Sequence, residues 1–375
     1  MSENLFSTSN ILEITKKLIR IPSIKNNREA LQQAIFLTEE FLKNTPGIIA
    51  KKYKSRDLSS IVFLTHDTKI PDVLLIGHLD VVPGSDNQFD SIEKDGKIYG
   101  RGACDMKSGV AVLLELFRYF ATQNQKPSLG LMLTPDEESG GSDGVRYLTE
   151  EQGFRAKIAI IPDGGNAPDE LVIENKGALH LQIKATGKTA HASRPWEGEN
   201  AAQTLIEAIT RIRSLFEGEY SDTWKNTCVL SKIEAGKAVN QVPDRATAVL
   251  DIRYVKETDD QELLDKIKQV ASPCKIEILV HVVASKTDEN HKFINLYRSI
   301  LKDKFNLNTK IIRSPGGNDG RFLTTHDIPI IVSRPISGGL HGPLEWVDIK
   351  GLEDYALFYK SYLENLFMQM AGMNK

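Results

Sequence analysis

The sequence predicts an α/β protein, a three-layer α/β/α domain into which a smaller ferredoxin-like α+β domain is inserted. Short apolar strands alternate with amphipathic helices over residues 1–176 and again over 290–375, an alternation typical of sheets covered by helices. Residues 177–289 instead follow the order β-α-β-β-α-β, the order of the ferredoxin-like unit. A chain of 375 residues exceeds the length at which one core stops growing, so two domains are expected.

In the larger domain, the spacing of apolar residues defines the elements. Helical spacing predicts helices over 10–20, 28–43, 108–122 and 144–151, and Pro22 ends the first of them. Apolar runs predict strands over 61–64, 73–76, 129–134 and 156–161, and Asp95–Gly96 predicts a hairpin turn between 91–94 and 97–99. After residue 290 we expect helices over 290–305 and 350–368 and strands over 310–313 and 328–332.

In the inserted domain, alternation of apolar and polar residues predicts strands over 178–185, 227–233, 247–254 and 275–283. Helices are predicted over 201–216 and 258–270. Thr258 and Gln261 form a Thr-x-x-Gln pattern that predicts a capping box at the start of the second helix.

Composition and charge exclude several classes of protein. The chain is 41% hydrophobic and 26% charged, as in ordinary globular proteins, and its net charge of −3 gives no footprint for nucleic acid or anionic membranes. Three cysteines are too few for a disulfide scaffold, which favours a reducing, cytoplasmic setting. The first residues lack the basic and apolar regions of a signal peptide, and no apolar run reaches the length of a membrane span. We expect a cytoplasmic enzyme without nucleic-acid or membrane partners.

A histidine and an aspartate stand where the apolar strand 73–76 ends. His78 and Asp80 are two residues apart, so on an extended chain their side chains project to the same side. A histidine that binds a metal usually donates its other ring N–H to a carboxylate. His78 is therefore a candidate metal ligand, and Asp80 is a candidate orienting partner or nearby catalytic support.

Four further segments place candidate ligands at strand ends or in loops. Asp105 lies in the glycine-rich loop 100–109, three acids at 136–138 follow the strand 129–134, Asp163 follows the strand 156–161, and His341 lies in a second glycine-rich loop. Like charges packed together are costly unless a cation compensates them. Two histidines and three carboxylates suit a pair of zinc ions better than one ion, and a carboxylate left unbound would serve as general base.

The order of these motifs is His-x-Asp, Gly-Arg-Gly-x-x-Asp-Met-Lys, Asp-Glu-Glu, Asp and His, and it resembles the zinc aminoacylase/carboxypeptidase family. That family includes succinyl-diaminopimelate desuccinylase, acetylornithine deacetylase, carboxypeptidase G and several dipeptidases. The resemblance covers nearly the whole chain and implies that the inserted domain is a lid that mediates dimerisation. It implies two zinc ions per chain, with cobalt or manganese as possible substitutes.

The same resemblance assigns roles to the candidate residues. It implies that His78, Asp105 and Asp163 hold one ion and that Asp105 also bridges to the second. It implies that Glu138 and His341 complete the ligands of the second ion. It also implies that Glu137 is the general base and that Asp80 is the partner of His78.

In the lid, residues 187–195 resemble the family loop whose histidine, here His191, would polarise the scissile carbonyl in the neighbouring subunit. Asn240 and Arg253 lie in segments that resemble those holding the substrate's carboxylate or oxyanion. Residues 314–322 resemble the desuccinylase loop Ser-Gly-Gly-Thr-Ser-Asp-Gly-Arg-Phe, which makes Gly317 and Arg321 candidate substrate-binding residues. A homodimer acting on a small N-acyl amino acid or dipeptide is implied.

The resemblance leaves the substrate open. Asp163 stands where deacylases of this group usually carry Glu, and aspartate there and the Pro-x-Glu after His341 are more typical of dipeptidases. The residues at 319–322, Asp-Gly-Arg-Phe, favour a desuccinylase. The hypothesis is a zinc amidohydrolase that resembles succinyl-diaminopimelate desuccinylase, with a metallo-dipeptidase or carboxypeptidase as the alternative.

Two alternatives come from other classes. Residues 140–144 match Gly-x-Ser-x-Gly with Ser142 as nucleophile, but a nucleophile elbow requires the serine directly after the strand, and here acidic residues intervene. A non-catalytic binding protein of the same fold would be expected to lose ligands or the base, whereas this sequence retains all of them.

Overall fold

The computed structural model describes residues 6–216 and 224–373. These residues form two compact units. The first is built from the chain up to Ile173, from Thr287–Ser314 and from Asn318 onward, and the second from Glu174–Lys286 and Pro315–Gly317.

The helices and strands are numbered in chain order. The helices are α1 Thr8–Ile19, α2 Arg28–Leu42, α3 Lys107–Ala121, α4 Ala201–Arg213, α5 Asp260–Ala271, α6 Lys292–Phe305, α7 Arg321–Thr324 and α8 Ile349–Met373. The strands are β1 Ile49–Ser55, β2 Leu58–Leu64, β3 Val73–His78, β4 Ile92–Lys94, β5 Lys97–Tyr99, β6 Leu129–Thr134, β7 Ile158–Ile161, β8 Glu170–Asn175, β9 Gly177–Thr186, β10 Thr227–Ala235, β11 Arg245–Tyr254, β12 Lys275–Val282, β13 Ser285–Lys286, β14 Lys310–Ser314, β15 Ile330–Val332, β16 Ser337–Gly338 and β17 Trp346–Asp348.

The central sheet of the first unit contains strands in the order β1-β2-β6-β3-β7-β15-β8. Its middle is parallel, since β3 pairs in parallel with both β6 and β7, and β7 pairs in parallel with β15. Its outer strands β1, β2 and β8 are antiparallel to their neighbours. The prediction of an α/β fold is confirmed.

Side chains of the parallel strands alternate between two apolar clusters. Leu75, Leu133 and Ile160 point to the face that α1, α3 and α8 cover, whereas Ile76 and Met132 point to the opposite face. Both faces are buried, so these strands carry near-continuous apolar runs, as a parallel sheet requires. The helix predicted over 144–151 is a short π-helix at Tyr147–Glu151 beside the second cluster.

A second, smaller sheet in the first unit joins two distant segments. Its strand order is β16-β17-β5-β4, so the hairpin β4–β5 pairs with the segment that ends just before α8. Trp346 pairs with Tyr99, the residue immediately before the glycine-rich loop. This pairing brings residues 100–106 beside residues 339–345.

The second unit has the order β9-α4-β10-β11-α5-β12, and its antiparallel sheet runs β10-β11-β9-β12. Its core lies between this sheet and the two helices, around Leu181, Leu250 and Ile267. The predicted capping box is wrong by one residue. The cap of α5 is Asp259, which accepts from the N–H of Glu262 at 2.8 Å, while the hydroxyl of Thr258 bonds to Asn226.

Among the residues that the structure describes, no helix has the length and apolar character needed to cross a bilayer.

Candidate metal centre

Three of the candidate ligands lie at the carboxyl ends of neighbouring parallel strands. His78 is the last residue of β3 and pairs with Thr134, the last residue of β6. Glu138 follows β6, and Asp163 follows β7 on the other side of β3. In open α/β sheets this edge is where ligands bind, because the polar loops leave the apolar sheet there.

The other two candidate ligands lie in the loops that the small sheet brings together. Asp105 belongs to the loop after β5, and His341 to the loop between β16 and β17. His341 adopts a positive φ of 57°, and a Cβ on neighbouring Gly339 would lie 2.1 Å from the carbonyl oxygen of Leu344. Only a glycine permits this tight turn.

These side chains form two groups that share Asp105. The ligand atoms of His78, Asp105 and Asp163 all lie within 4.8 Å of one another, and so do those of Asp105, Glu138 and His341. Oδ1 of Asp105 is 3.1 Å from Nε2 of His78, and Oδ2 is 3.3 Å from Nε2 of His341. The structure therefore brings all the predicted ligands together, in the two sets that the family resemblance implies.

The electrostatics of the groups are those of a site with excess negative charge. Burial, followed by the nearby charge of Asp105, raises the pKa of Asp163 well above its usual value. Burial also raises the pKa of Glu137, with Asp163 contributing. The adjacent carboxylates of Asp105 and Glu138 raise the pKa of His341 to about 10, so without a cation this ring holds a proton that a metal would displace.

The donor set fits a pair of divalent cations. Two imidazoles and three carboxylates supply nitrogen and oxygen donors, which suit zinc, cobalt or manganese. Oε1 of Glu138 is buried and accepts no hydrogen bond within the described part of the chain, although it lies 3.3 Å from Nε2 of His341. A cation would satisfy this oxygen and compensate the crowded carboxylates.

Asp80 lies directly behind His78 and is fully buried. Nδ1 of His78 is 2.9 Å from the backbone carbonyl of Asp80 and 3.5 Å from its carboxylate, so the nearer acceptor is the carbonyl. The carboxylate of Asp80 instead accepts the N–H groups of Glu137 and Glu138 at 3.1 and 3.0 Å. It thus fixes the turn that carries both acidic residues.

Glu137 and Arg321 lie side by side. The side chain of Glu137 is mostly buried, and its Oε1 is 3.7 Å from Nη1 of Arg321. The guanidinium of Arg321 is buried and donates to the carbonyls of Asn318 and Gly140 at 2.7 and 2.8 Å. The assignment of Arg321 as a substrate-binding residue stays a prediction, since the contacts described here are with the protein itself.

Arg334 is a residue that the sequence analysis missed. Its Nη2 donates to Oδ1 of Asp163 at 2.9 Å, and its Nη1 lies 3.0 Å from Sγ of Cys104. The signal becomes readable only once the strand pairing is known: Val332 pairs in parallel with Ile161, and Arg334 follows its strand by the same distance as Asp163 does. One oxygen of Asp163 is held by the arginine, which leaves the other for a cation.

Four predicted substrate-site residues lie in the second unit. His191 is exposed, its Nδ1 is 2.8 Å from the hydroxyl of Ser193, and it forms an isolated bridge with Gln241. Asn240 is also exposed, and its backbone carbonyl accepts from the N–H of Ala192 at 2.9 Å, so the loops of His191 and Asn240 are adjacent.

Arg253 and Gly317 are the other two. The guanidinium of Arg253 makes two hydrogen bonds to Asp251, at 2.7 and 3.0 Å, and Gly317 is exposed. Their roles toward substrate stay predictions.

Ser142 does not occupy a nucleophile elbow. The strand β6 ends at Thr134, and Ser142 lies exposed in a turn beyond Glu137 and Glu138. A serine hydrolase of the elbow type requires the serine on the strand-to-helix turn itself.

Two histidines and three carboxylates that meet beside the carboxyl edge of an α/β sheet are typical of a metallohydrolase of the two-cation type. The model of the peptidase family M20/M25/M40 matches residues 74–365, and the chain belongs to that family. The protein is a metallohydrolase that acts on amide or peptide bonds.

Curated relatives match the chain over nearly its full length. An uncharacterized metallohydrolase of Methanocaldococcus jannaschii is 28% identical, over 93% of this chain and 98% of its own. A succinyl-diaminopimelate desuccinylase of Coxiella burnetii is 25% identical, over 96% of this chain and 100% of its own.

Solved structures share the fold. A tripeptidase from Staphylococcus aureus matches with a TM-score of 0.76 and 23% identity, covering 96% of this chain and 99% of that one. A dinuclear metal binding peptidase of the M20 family from Bacillus subtilis matches with a TM-score of 0.68 and 13% identity, covering 96% and 98%.

If His341 is a ligand of one cation only, His341→Ala should lower the metal content from two ions per chain to about one, because the other group stays complete. The measurement is elemental analysis after saturation with zinc and dialysis. His326→Ala is the matched control, since His326 also contacts a carboxylate, Glu150 at 3.0 Å, but belongs to neither group. An unchanged metal content in His341→Ala would contradict the assignment.

Proposed function

We propose that the protein hydrolyses the amide bond of a small N-acyl amino acid, with a succinyl-diaminopimelate-type substrate as the best candidate, using two zinc ions. The observation that carries the proposal is the sharing of Asp105 between two groups of ligands, with Glu137 next to Glu138 at their edge. The likeness to the desuccinylase of Coxiella burnetii over nearly the full length supports the substrate class.

In this proposal His78, Asp105 and Asp163 hold one zinc ion, and Asp105, Glu138 and His341 hold the other. Zinc suits the nitrogen and oxygen donors, and cobalt or manganese could replace it. When bound, the two ions would polarise the scissile carbonyl and make water a stronger acid.

Glu137 is proposed as the general base. Its position is fixed through its own N–H by the carboxylate of Asp80, which at the same time fixes the ligand Glu138. Glu137 takes a proton from the attacking water and later delivers it to the nitrogen of the leaving amine. Asp80 thereby supports both a ligand and the base.

Residues of the second unit are proposed to bind the substrate. His191, in a loop adjacent to that of Asn240, would donate a hydrogen bond to the carbonyl oxygen as negative charge develops on it. Asn240 and Arg253, with Gly317 and Arg321 on the 314–322 loop, would hold the terminal carboxylate.

A metallo-dipeptidase is the second candidate, because a specific observation favours it. The fourth of the five ligands in chain order is Asp163, which is shorter than the glutamate usual in deacylases and is held by Arg334. The fold likeness to a tripeptidase is compatible with this candidate.

We further propose that the active form is a homodimer in a reducing, cytoplasmic compartment. None of Cys104, Cys228 and Cys274 forms a disulfide bond in the part of the chain that the structure describes. Dimerisation through the second unit would place His191 of one subunit in the site of the other, as the resemblance implies.

Glu137→Gln should lower kcat by roughly 10²–10⁴-fold, because general acid–base catalysis contributes about that factor. Metal content should equal that of the wild type, since Glu137 is in neither ligand group. Steady-state kinetics and elemental analysis check both parts, with Glu151→Gln, at an exposed carboxylate in neither ligand group, as control. A kcat near the wild-type value would remove Glu137 from the mechanism.

A panel of substrates assayed with added zinc separates the two candidate functions. The proposal expects N-succinyl-diaminopimelate to give the highest kcat/KM, above N-acetylornithine and simple dipeptides. A preference for dipeptides would favour the second candidate. Removal of the metal with a chelator should abolish turnover of every substrate in the panel.

Complementation tests whether His191 acts across a subunit boundary. His191→Ala and Glu137→Gln should each be nearly inactive. Mixed subunits should recover roughly a quarter of wild-type activity, because half of the dimers are mixed and each contains one intact site. Light scattering should give the mass of a dimer. A mixture that stays inactive, or a fully active monomer, would contradict the proposal.

A further inference from the structure

A buried ion pair lies behind the metal centre and belongs to neither ligand group. Nη1 of Arg101 donates to Oε2 of Glu345 at 2.7 Å, and the two residues are 3% and 1% exposed. Arg101 belongs to the loop after β5, and Glu345 immediately precedes β17. The pair thus joins the two segments that carry Asp105 and His341.

The second carboxylate oxygen of Glu345 organises the loop of Asp105. Oε1 accepts the backbone N–H groups of Gly102, Cys104 and Asp105 at 3.0, 2.9 and 2.9 Å. Hydrogen bonds to a charged oxygen are short and strong, and these three fix the path of the backbone that carries Asp105, the carboxylate shared by both ligand groups.

Arg101 organises the loop of His341 in the same way. Its Nη2 lies 3.3 Å from the carbonyl oxygen of His341 and 3.2 Å from that of Gly342. The side chain of His341 is 47% exposed, whereas that of His78 is 2% exposed and packed within the first unit. Packing constrains a ring that is nearly half exposed less than a buried one, so the position of His341 depends more on its backbone.

We propose that Glu345 and Arg101 are positioning residues of the cation site formed by Asp105, Glu138 and His341. This inference rests on the proposed two-cation function. The other site depends less on the pair, because His78 ends one buried strand of the central sheet, Asp163 follows another, and Asp163 is held by Arg334. Breaking the pair should therefore weaken the binding of one of the two cations more than that of the other.

The test compares Glu345→Gln with Glu115→Gln. Glu115 is also a fully buried carboxylate that pairs with an arginine, Arg118 at 2.6 Å, and accepts a backbone N–H, that of Ser7 at 2.7 Å, but it lies on α3. Both variants lose the charge of a buried pair and keep the shape of the side chain. A purely structural effect on the fold should appear in both.

The measurements are zinc affinity by competition with a chromophoric chelator and the melting temperature of the metal-free protein. Glu345→Gln should weaken the binding of one zinc ion by about 10–100-fold, the usual effect of losing a partner behind a ligand, and leave the other within about threefold. Glu115→Gln should lower the melting temperature while both affinities stay at wild-type values. Equal weakening of both ions in Glu345→Gln, or no weakening, would overturn the inference.

A second pair of variants assigns the effect to a site. In His341→Ala, which keeps one complete ligand group, adding Glu345→Gln should change the remaining affinity by no more than about threefold, because the site that the pair positions is already lost. A tenfold further loss would overturn the inference. If Glu345→Gln does not fold, Arg101→Lys tests the proposal in its place. This variant keeps the positive charge but loses the second nitrogen, which contacts the His341 loop. Unchanged binding of both ions would overturn the proposal.

Failure of the proposed function has a different outcome. A wild-type protein that binds fewer than two zinc ions per chain would remove both proposals. A wild type that binds two ions and a Glu345→Gln variant that binds both equally well would remove only this inference.

Discussion

The metal centre depends on the contacts of one carboxylate, that of Asp105, because its two oxygens face two different imidazoles. His78 contacts one oxygen at 3.1 Å and His341 the other at 3.3 Å. Burial opposes ionisation of this carboxyl, and the hydrogen bonds from His341 and His78 overcome it and hold its pKa well below the usual value. An ionised carboxylate thus lies between the two ligand groups, where two cations would share it.

Two sheets place the ligands around this carboxylate, each carrying a different part of the set. The parallel strands β3, β6 and β7 end at one edge and deliver His78, Glu138 and Asp163 from an apolar layer that holds them rigidly. The small sheet brings together the loops of Asp105 and His341. A buried carboxylate lies behind each acidic segment of the site and accepts its backbone N–H groups: Asp80 for 137–138 and Glu345 for 102–105.

Features that depend on local pattern could be predicted from the sequence. The strands β3, β6 and β7 were evident as apolar runs, and the ligands follow them because polar residues must leave the sheet there. Strand β1 was missed because it alternates half-buried and exposed positions filled largely with lysine, which does not distinguish an edge strand from a loop. The cap of α5 was misplaced because Thr258 and Asp259 are both good caps, and the contact of Thr258 with Asn226 decides between them. Spacing could not tell whether the carboxylate or the carbonyl of Asp80 meets His78, and Arg334 becomes visible only once β15 is placed beside β7.

The small sheet has a consequence for the order in which the site can be built. Strand β17, Glu345 and His341 come from a segment synthesised long after His78, and the shared carboxylate of Asp105 lacks its second imidazole until that segment is in place. Helix α8 follows directly and packs its tyrosines into the core below the sheet. Between residues 163 and 341 a growing chain therefore holds four of the five ligands and only one complete group, and hydrolytic capacity arrives together with the closing of the fold rather than before it.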